Sequence, residues 1–488
     1  MKKIFYSLLV LSATMIVSCK KDITDLNVNP TRPQTVTSAS LFSNASINFS
    51  DLLASTNVNV NNFRLFVQHW TETIYRDETR YNLNGRTITD RWWAILYRDV
   101  IKDLTEASKT LETESSSLSA DQIKNRLAIN EILIVYAYYH LITSFGDVPY
   151  TEALDIENLQ PKYEDAATIF GKIATRLDAA LGNLNDAAPA YGSADFILNG
   201  DVPGWQKFGN SLKLRMGMLV VDSDPATASK MIVDASPNVV LSNAENLQMN
   251  YLGSPPNTNP VWEDLVQSGR HDFVAAKPFI DTLKAYSDPR LPFYFNKDIT
   301  TGADYIGQTP GTSATYNNFS APSTIVEDPE FPHTFFSYAE MELYKAEAAA
   351  RGIAVGGTAE EHYNNAIDAS IMEWGGTQAQ AQAYRSQPKV KYTTAPGNFK
   401  QKIGLQSWII LYNRGYDAWT QWRRLDYPNL NVPNMGATNP FASDETPSVI
   451  KRLTYPVVEQ NLNKASYNEA STAIGKDQIT QRLWFDKF

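Results

Sequence analysis

Cysteine is almost absent from this sequence: Cys19 is the only one among 488 residues. A single cysteine excludes an internal disulfide, a paired CxxC redox motif and a zinc site built from several thiolates. The chain has five histidines, and none of them shows the HExxH spacing of a zinc protease. A GxSxG elbow and a glycine-rich phosphate loop are missing as well. We therefore expect no catalytic residues, no metal site and no cofactor.

Basic residues are outnumbered, since 43 Lys and Arg stand against 53 Asp and Glu, a formal net charge of −10. An acidic chain lacks the basic surface that nucleic acids select. Its side chains are also not drawn to anionic lipid. After the N-terminal run, no apolar stretch approaches the ~20 residues of a membrane-spanning helix. The composition thus predicts a body outside the membrane with no nucleic-acid partner.

The N-terminus has the pattern of a secretory signal. Lys2 and Lys3 precede an apolar run over residues 4–17, and Ser18-Cys19 follows it. A basic start, a short apolar core and small residues at the cleavage point are typical of such signals. A cysteine directly after that point resembles the lipobox of bacterial lipoproteins, and several acyl chains, palmitate among them, would anchor the protein durably. We predict three segments: a signal peptide over 1–18, a lipidated tether over 19–34 and a single domain over 35–488.

Helical periodicity dominates the rest of the chain. Apolar residues at three- and four-residue spacing predict amphipathic helices. Asp121 is the predicted N-cap of the longest one, which ends before Gly146. The predicted helices are Leu41–Leu53, Phe63–Ile74, Arg91–Leu111, Asp121–Phe145, Tyr163–Leu184, Trp205–Val221, Ala275–Tyr286, Phe336–Arg351, Glu360–Trp374 and Gln401–Trp422. Residues 236–332 are instead rich in Pro, Gly, Asn and Ser, and a long loop-rich segment inside a domain is usually functional.

Two stretches have the length of a helical repeat. Tyr338–Trp374 reads as a helix–turn–helix with small packing residues such as Ala346 and Ala366, close to the ~34-residue tetratricopeptide period. Asn125–Leu184 is a longer, interrupted version. The predicted fold is therefore dominated by α-helices: a tetratricopeptide-like repeat scaffold with a long loop-rich insertion.

Several sequence blocks, in order along the chain, together resemble the SusD/RagB-like family of outer-membrane lipoproteins, in its SusD-like branch. The resemblance extends from Asp25 to about Asn463 and so covers nearly the whole chain after the signal. The blocks are D-L-N-V-N-P-T-R-P at Asp25–Pro33, the helix Arg126–Pro149 with its exit F-G-D-V-P-Y, W-Q-K-F-G-N-S-L-K-L-R at Trp205–Arg215, Asp288-Pro289-Arg290, Y-A-E-M-E-L-Y-K-A-E-A-A-A-R-G at Tyr338–Gly352, W-T-Q-W-R-R-L-D-Y-P at Trp419–Pro428 and Arg452–Pro456.

The resemblance implies a surface lipoprotein that captures nutrient oligosaccharides and caps a SusC-like, TonB-dependent outer-membrane transporter, with the anchored body facing the cell exterior. Three alternatives stay open. The ligand could be a peptide, as in RagB-type members, or the protein could be a lid without its own ligand site. The third alternative is an extracellular glycoside hydrolase with paired carboxylates, and the candidate carboxylates are Glu263, Asp264, Glu327, Asp328 and Glu330.

Ligand contacts are expected in loops, because sugars present apolar faces to aromatic rings and hydroxyls to a few polar groups. The strongest candidates are Trp262, Arg270 and Asp272. Two further patches carry aromatic residues. One consists of Tyr305, Tyr316, Asn317 and Asn318, and the other consists of Tyr75, Trp70 and Tyr81. Alternatively, each ring could have a structural role and anchor its loop by packing onto the helices. We interpret Trp205, Arg215, Arg423, Arg424 and Tyr455 as scaffold, with the arginines bound to carboxylates or backbone carbonyls.

The lipid anchor can be tested on Cys19 alone. Cys19→Ala should leave folding and ligand binding intact while abolishing membrane retention, because the acyl chains have no other attachment point among the cysteines. The measurement is fractionation without detergent, followed by immunodetection. Recovery of the variant in the outer-membrane fraction would refute the anchor.

Overall fold

The computed structural model describes residues 36–437 and 439–488. Within this part of the chain, Ser38–Phe488 forms one unit with a continuous set of internal contacts. The predicted signal peptide, the tether and Cys19 lie outside the described residues, so their boundaries stay predictions.

Helices make up most of the described secondary structure, which confirms the predicted fold class. The helices Ile88–Ala94 and Lys102–Thr113 are joined by a π-helical segment, Ile95–Ile101. The α-helices are α1 Ser38–Ala54, α2 Phe63–Phe66, α3 Ile88–Ala94, α4 Lys102–Thr113, α5 Ala120–Phe145, α6 Ala166–Asn183, α7 Val202–Leu219, α8 Pro225–Ala235, α9 Pro260–Trp262, α10 Lys277–Ala285, α11 Leu291–Tyr294, α12 Tyr338–Ala350, α13 Ala359–Glu373, α14 Gln378–Arg385, α15 Phe399–Ile410, α16 Gly415–Leu425, α17 Val457–Leu462 and α18 Lys464–Ala473.

Short strands form three antiparallel pairs. These are β1 (Trp70–Glu72) with β5 (Phe273–Ala275), β2 (Val148–Pro149) with β3 (Tyr163–Glu164), and β4 (Leu247–Met249) with β6 (His333–Phe336). Trp70 lies opposite Ala275 in the first pair, and Glu72 lies opposite Phe273. Each pair joins segments that are separate in sequence and ties loops to the helical body.

Helix α5 forms the centre of the core. Its N-cap is Ser119, whose hydroxyl accepts the Gln122 N–H, so the predicted cap at Asp121 is wrong by two positions. Gly146 ends the helix with φ of 90°, a conformation that favours glycine. The helix is long and apolar enough to cross a membrane, but 89% of its most apolar window is buried inside the protein. Its apolar character is therefore explained by its central position.

The predicted repeat hairpin is present. Helices α12 and α13 pack against each other through small, fully buried residues that include Ala346 and Ala366. Helices α5 and α6 form the second, longer hairpin, interrupted by β2 and β3. Small side chains let the helix axes approach closely, which is the packing mode of helical repeats.

The single helix predicted over Phe63–Ile74 is wrong. Helix α2 ends at Phe66, Gln68 adopts a left-handed φ of 55°, and β1 follows. The spacing of the apolar residues reflects their burial and not a continuous helix, since Phe63, Phe66 and Trp70 are all buried. Pairing with β5, about two hundred residues away, overrides the local helical preference.

The single helix predicted over Gln401–Trp422 is in fact two, α15 and α16. Asn413 takes a left-handed φ of 64° between them. Gly415 opens α16 so close to Phe63 and Arg64 that a Cβ there would clash with their backbone. The break is thus imposed by packing against α2. Helices α8, α9, α11, α14, α17 and α18 were not predicted.

Arginine–carboxylate pairs lie inside the helical body. The Arg215 guanidinium is 2.7 Å from Glu340 Oε1, and the Arg414 Nη2 is 2.5 Å from Glu340 Oε2. Arg424 binds Glu347 through both ends of its guanidinium, at 2.7 and 2.5 Å. Burial alone would raise the pKa of Glu347, but the Arg424 charge holds that pKa below its usual value.

The other family-block residues are scaffold as well. Arg423 donates to the backbone carbonyls of Thr143 and Lys451. Trp205 and Tyr455 are fully buried. The interpretation of these side chains as structural is confirmed.

The Arg424–Glu347 pair allows a stability test. Glu347→Ala should lower the free energy of unfolding by about 3–5 kcal/mol, because it leaves a buried guanidinium without its bidentate partner. The measurement is chemical denaturation followed by tryptophan fluorescence. Replacing both partners, Arg424→Met with Glu347→Leu, should cost less than the single change. The control is Lys109→Ala, which breaks the exposed Lys109–Glu106 pair on α4. It should change the free energy of unfolding by less than about 1 kcal/mol. Equal losses of unfolding free energy in Glu347→Ala and Lys109→Ala would contradict the expectation.

Candidate functional site

The β1–β5 pair gathers three loop segments at one edge. Beyond the last paired residues, the Thr73 N–H donates to the Asp272 carbonyl at 2.8 Å. The Thr73 carbonyl in turn accepts the Ala314 N–H at 3.1 Å. The ends of both strands and the segment 314–318 therefore lie side by side. We call this region the strand edge and define it by Tyr75, Arg270, His271, Tyr316 and Asn317.

Tyr75 is the most exposed aromatic side chain of the strand edge. It follows β1 closely, and 74% of its surface is accessible. Its φ of 52° lies in the left-handed region, which is uncommon for an aromatic residue and costs of order 1–3 kcal/mol. Strain of this kind often marks functional positions.

Tyr316 and His271 provide a second pair of rings at this edge. Their ring centroids are 5.5 Å apart and inclined by 39°. Burial raises the pKa of Tyr316 to about 12, and the charges of Glu327 and Asp272 add to the rise. The phenol thus keeps its proton at neutral pH and can donate a hydrogen bond. Asn317, next in the chain, is exposed.

Arg270 and Asp272 bind each other. The Arg270 Nε donates to Asp272 Oδ1 at 2.7 Å, and the guanidinium lies 4.7 Å from the centroid of the Phe273 ring. Asp272 is only 3% exposed, so its carboxylate serves to position the half-buried Arg270. Glu72 lies 3.8 Å from the same guanidinium, and burial raises the pKa of Glu72 to about 7.

Trp262 and Tyr305 are half-buried and lie outside this set of contacts. Among the described residues, no ring contact joins either of them to Tyr316. Trp262 ends the short helix α9, and a π-helical turn, Glu263–Gln267, leads from it toward Arg270. Tyr305 packs its ring against the core. The expected contacts at these two residues stay predictions.

The patch predicted around Tyr75 is mostly core. Trp70 and Tyr81 are each 1% exposed, and the Trp70 indole donates to the Tyr412 hydroxyl at 3.0 Å. Only Tyr75 of these three rings is available at the surface. Sequence reasoning could not separate them, because all three belong to one short aromatic-rich segment.

A cavity that the sequence did not predict lies where the loop-rich segment meets the repeat helices. Its volume is about 230 Å³. The loop-rich segment contributes Gln248, Asn259, Ile325 and Phe331, and strand β6 contributes His333. The scaffold contributes Arg64, Glu373, Trp374, Tyr412, Asn413 and Arg414, among others. The only sequence signal was Trp374, which directly follows α13 and precedes two glycines.

Two of the carboxylates considered for hydrolysis accept hydrogen bonds from threonine hydroxyls. Glu263 accepts the Thr258 hydroxyl at 2.6 Å, and Asp264 accepts the Thr56 hydroxyl at 2.9 Å. Burial raises the pKa of Glu327 to about 7. Across 36–437 and 439–488, no group of three or more His, Cys, Asp and Glu residues could hold a metal ion.

Comparison with known proteins identifies relatives over nearly the whole length. Residues 30–456 match the SusD-like family described as starch-binding and associating with the outer membrane. A solved chitin-binding protein is 26% identical, with a TM-score of 0.78, and the match covers 93% of this chain and 100% of that one. A chitin-binding SusD homolog from Flavobacterium johnsoniae is 21% identical, with a TM-score of 0.76 and coverage of 92% and 98%. A SusD-like protein from Bacteroides thetaiotaomicron is 20% identical, with a TM-score of 0.75 and coverage of 92% and 99%. No curated protein matches the sequence.

We expect the cavity carboxylate Glu373 to make the stability of the fold depend on pH. Burial raises its pKa to about 7, against an ordinary value near 4.5. The fold therefore has its full stability below about pH 4.5, where this carboxyl is protonated. The free energy of unfolding falls as the pH rises through about 7, because the buried carboxyl then ionises. Glu373→Gln removes this loss, so the variant should melt above the wild type at pH 8 but not at pH 4.5. The measurement is thermal melting by circular dichroism, with Glu112→Gln on α4 as the charge-matched control. A pH-independent difference would contradict the expectation.

Proposed function

The chain belongs to the SusD-like family of starch-binding proteins that associate with the outer membrane, and from this premise we propose that it binds oligosaccharides at the cell surface. In this proposal it delivers them to a SusC-like, TonB-dependent transporter. The role is binding without chemistry. The observation that carries the proposal is the strand edge, where exposed rings and hydrogen-bonding groups converge from three segments.

The strand edge has the chemistry that a sugar chain requires. The exposed Tyr75 ring offers a flat face for the C–H side of a pyranose ring. The protonated Tyr316 phenol and the Asn317 amide are suited to sugar hydroxyls. Arg270 is held in place by Asp272, so little side-chain entropy is lost when it donates to a ligand.

Trp262 and Tyr305 complete the proposed ligand face. Both rings are half-buried in loop-rich sequence, so part of each surface is fixed and part is accessible. In the proposal they contact more distant units of a long oligosaccharide. Their share of the affinity is expected to be smaller than that of Tyr75, which is far more exposed.

Delivery rests on the lipid anchor and on proximity. An acylated Cys19 and the tether 19–34 would hold the ligand-loaded body near a transporter, which raises its effective concentration there. The family description as associating with the outer membrane supports this part of the proposal. Co-purification of a co-expressed SusC-like transporter with the lipidated chain tests it. A chain that binds glycan but never co-purifies with a transporter would be a binder without the delivery role.

Chitin oligosaccharides are the first ligands to test, because two of the similar solved structures are named as chitin-binding. Starch oligosaccharides and peptides belong in the same panel. Saturable binding of peptides alone would indicate a RagB-type role. Release of new reducing ends from a bound glycan would indicate a hydrolase instead.

The strand edge makes a specific prediction. Tyr75→Asn removes the ring and tolerates the left-handed backbone, so folding should be kept. Loss of one stacking face should weaken oligosaccharide binding about tenfold, equivalent to ~1.4 kcal/mol. Titration calorimetry on the purified mature chain measures it. The matched control is Phe196→Ala, another exposed aromatic residue (42% accessible) on a different loop.

Two results would count against this assignment. Unchanged affinity in Tyr75→Asn would move the ligand away from the strand edge. A flat response of the wild type to every glycan and peptide would favour the lid without its own ligand site.

A further inference from the structure

The cavity between the loop-rich segment and the repeat helices has one aromatic side. The Trp374 ring lies 5.8 Å from the Phe331 ring, at an inclination of 34°, and 4.7 Å from the Tyr294 ring. Trp374 and Phe331 are half-buried, and Ile325 at the rim is 38% exposed. The cavity is therefore accessible past Ile325, with an aromatic wall inside.

Most charged groups in the wall are already engaged. Arg64 donates to the carbonyls of Ala54 and Ser55 and to the Asn413 side chain. Arg414 binds Glu340 and Asp417. These bonds fix the shape of the wall, and the Glu340 and Asp417 carboxylates neutralise the charge of Arg414.

One buried polar atom of the wall has no partner. His333 is 9% exposed, and its Nε2 makes no hydrogen bond within the described residues. Burial keeps the pKa of His333 well below its usual value, and the Arg414 charge adds to this. The imidazole is therefore neutral. A buried group of this kind costs free energy unless a ligand or water binds it.

The polar side chains of Gln248 and Glu373 also line the cavity. The Gln248 amide nitrogen donates to the Thr334 hydroxyl at 2.9 Å, which fixes the amide in the wall. The Asn246 amide donates to Glu373 Oε1 at 3.0 Å and orients that carboxyl in the same way. Polar groups held by a second layer of bonds are preorganised for a ligand.

The volume sets the size of the occupant. About 230 Å³ is less than the ~300–1,000 Å³ of pockets that take drug-sized ligands. An aromatic wall combined with a few fixed polar groups suits one compact ring that has an apolar face and several hydroxyls. A long chain would not fit inside.

We propose that this cavity is a second binding site, separate from the strand edge, that takes a single monosaccharide-sized ring. The ring lies on Trp374, and its hydroxyls bind His333 Nε2, Gln248 and Glu373. For the class of ligand, the inference rests on the proposed function. It assigns the cavity to one sugar unit and the strand edge to the longer chain.

The test separates the two sites with two kinds of probe. Glucose and N-acetylglucosamine probe the cavity, and their oligosaccharides probe the strand edge, in saturation-transfer NMR and titration calorimetry on the mature chain. Trp374→Leu and the milder Gln248→Ala should each weaken monosaccharide binding at least tenfold. Tyr75→Asn should leave monosaccharide binding unchanged. Melting curves show which variants are folded, and Gln248→Ala keeps the test valid if Trp374→Leu is not.

The outcomes are distinguishable from failure of the proposed function. Oligosaccharide binding without any monosaccharide binding would overturn the cavity site and leave the proposed function standing. Monosaccharide binding that is lost in Tyr75→Asn and kept in Gln248→Ala would place the single ring at the strand edge and also overturn it. Monosaccharide binding that depends on Gln248, with no response to any oligosaccharide, would support the cavity and refute the strand edge.

Discussion

The buried pairing of arginines with carboxylates is the constraint on which the rest of the structure depends. Glu340 of α12 binds Arg215 of α7 and Arg414 before α16, and Glu347 of the same helix binds Arg424. Such ions are costly to desolvate, so they are tolerated only when the partners meet in the correct geometry. Helix α12 is thereby locked to α7 and to both ends of α16, and the repeat hairpin becomes a rigid platform for the loops.

The rigid platform determines where the loops can form a site. The break between α15 and α16 lets Gly415 pack on α2, which in turn places β1 against β5. The strand edge forms at the end of that pair, and the cavity forms where β6 and α9 face the end of α13. Both regions combine aromatic rings with polar side chains held by hydrogen bonds, an arrangement suited to recognition. Fixed polar groups and aromatic faces keep the entropic cost of such recognition low.

Sequence patterns predicted elements whose stability is local. The hairpin of α12 and α13 was recognised because its alanines recur at helical spacing, and α5 because a long apolar run precedes Gly146. The patterns misled at Phe63–Ile74, where buried aromatic residues belong to a short helix and a strand. They also missed α8 and α14, which are only 11 and 8 residues long. The candidate site was predicted only in part, since Trp70 and Tyr81 proved buried and the wall around Trp374 was not foreseen.

The sequence by itself determined the fold class, the family and the scaffold role of residues such as Arg215 and Arg424. Those inferences depend on short-range spacing and on blocks of contiguous residues. Tertiary structure alone decided which rings are exposed, since Tyr75 and Tyr81 are near neighbours in sequence but differ from 74% to 1% in accessibility. It also decided that residues near 75, 271 and 316 meet at one edge. The reason is physical: burial and contact are set by partners hundreds of residues away, and no local pattern carries that information.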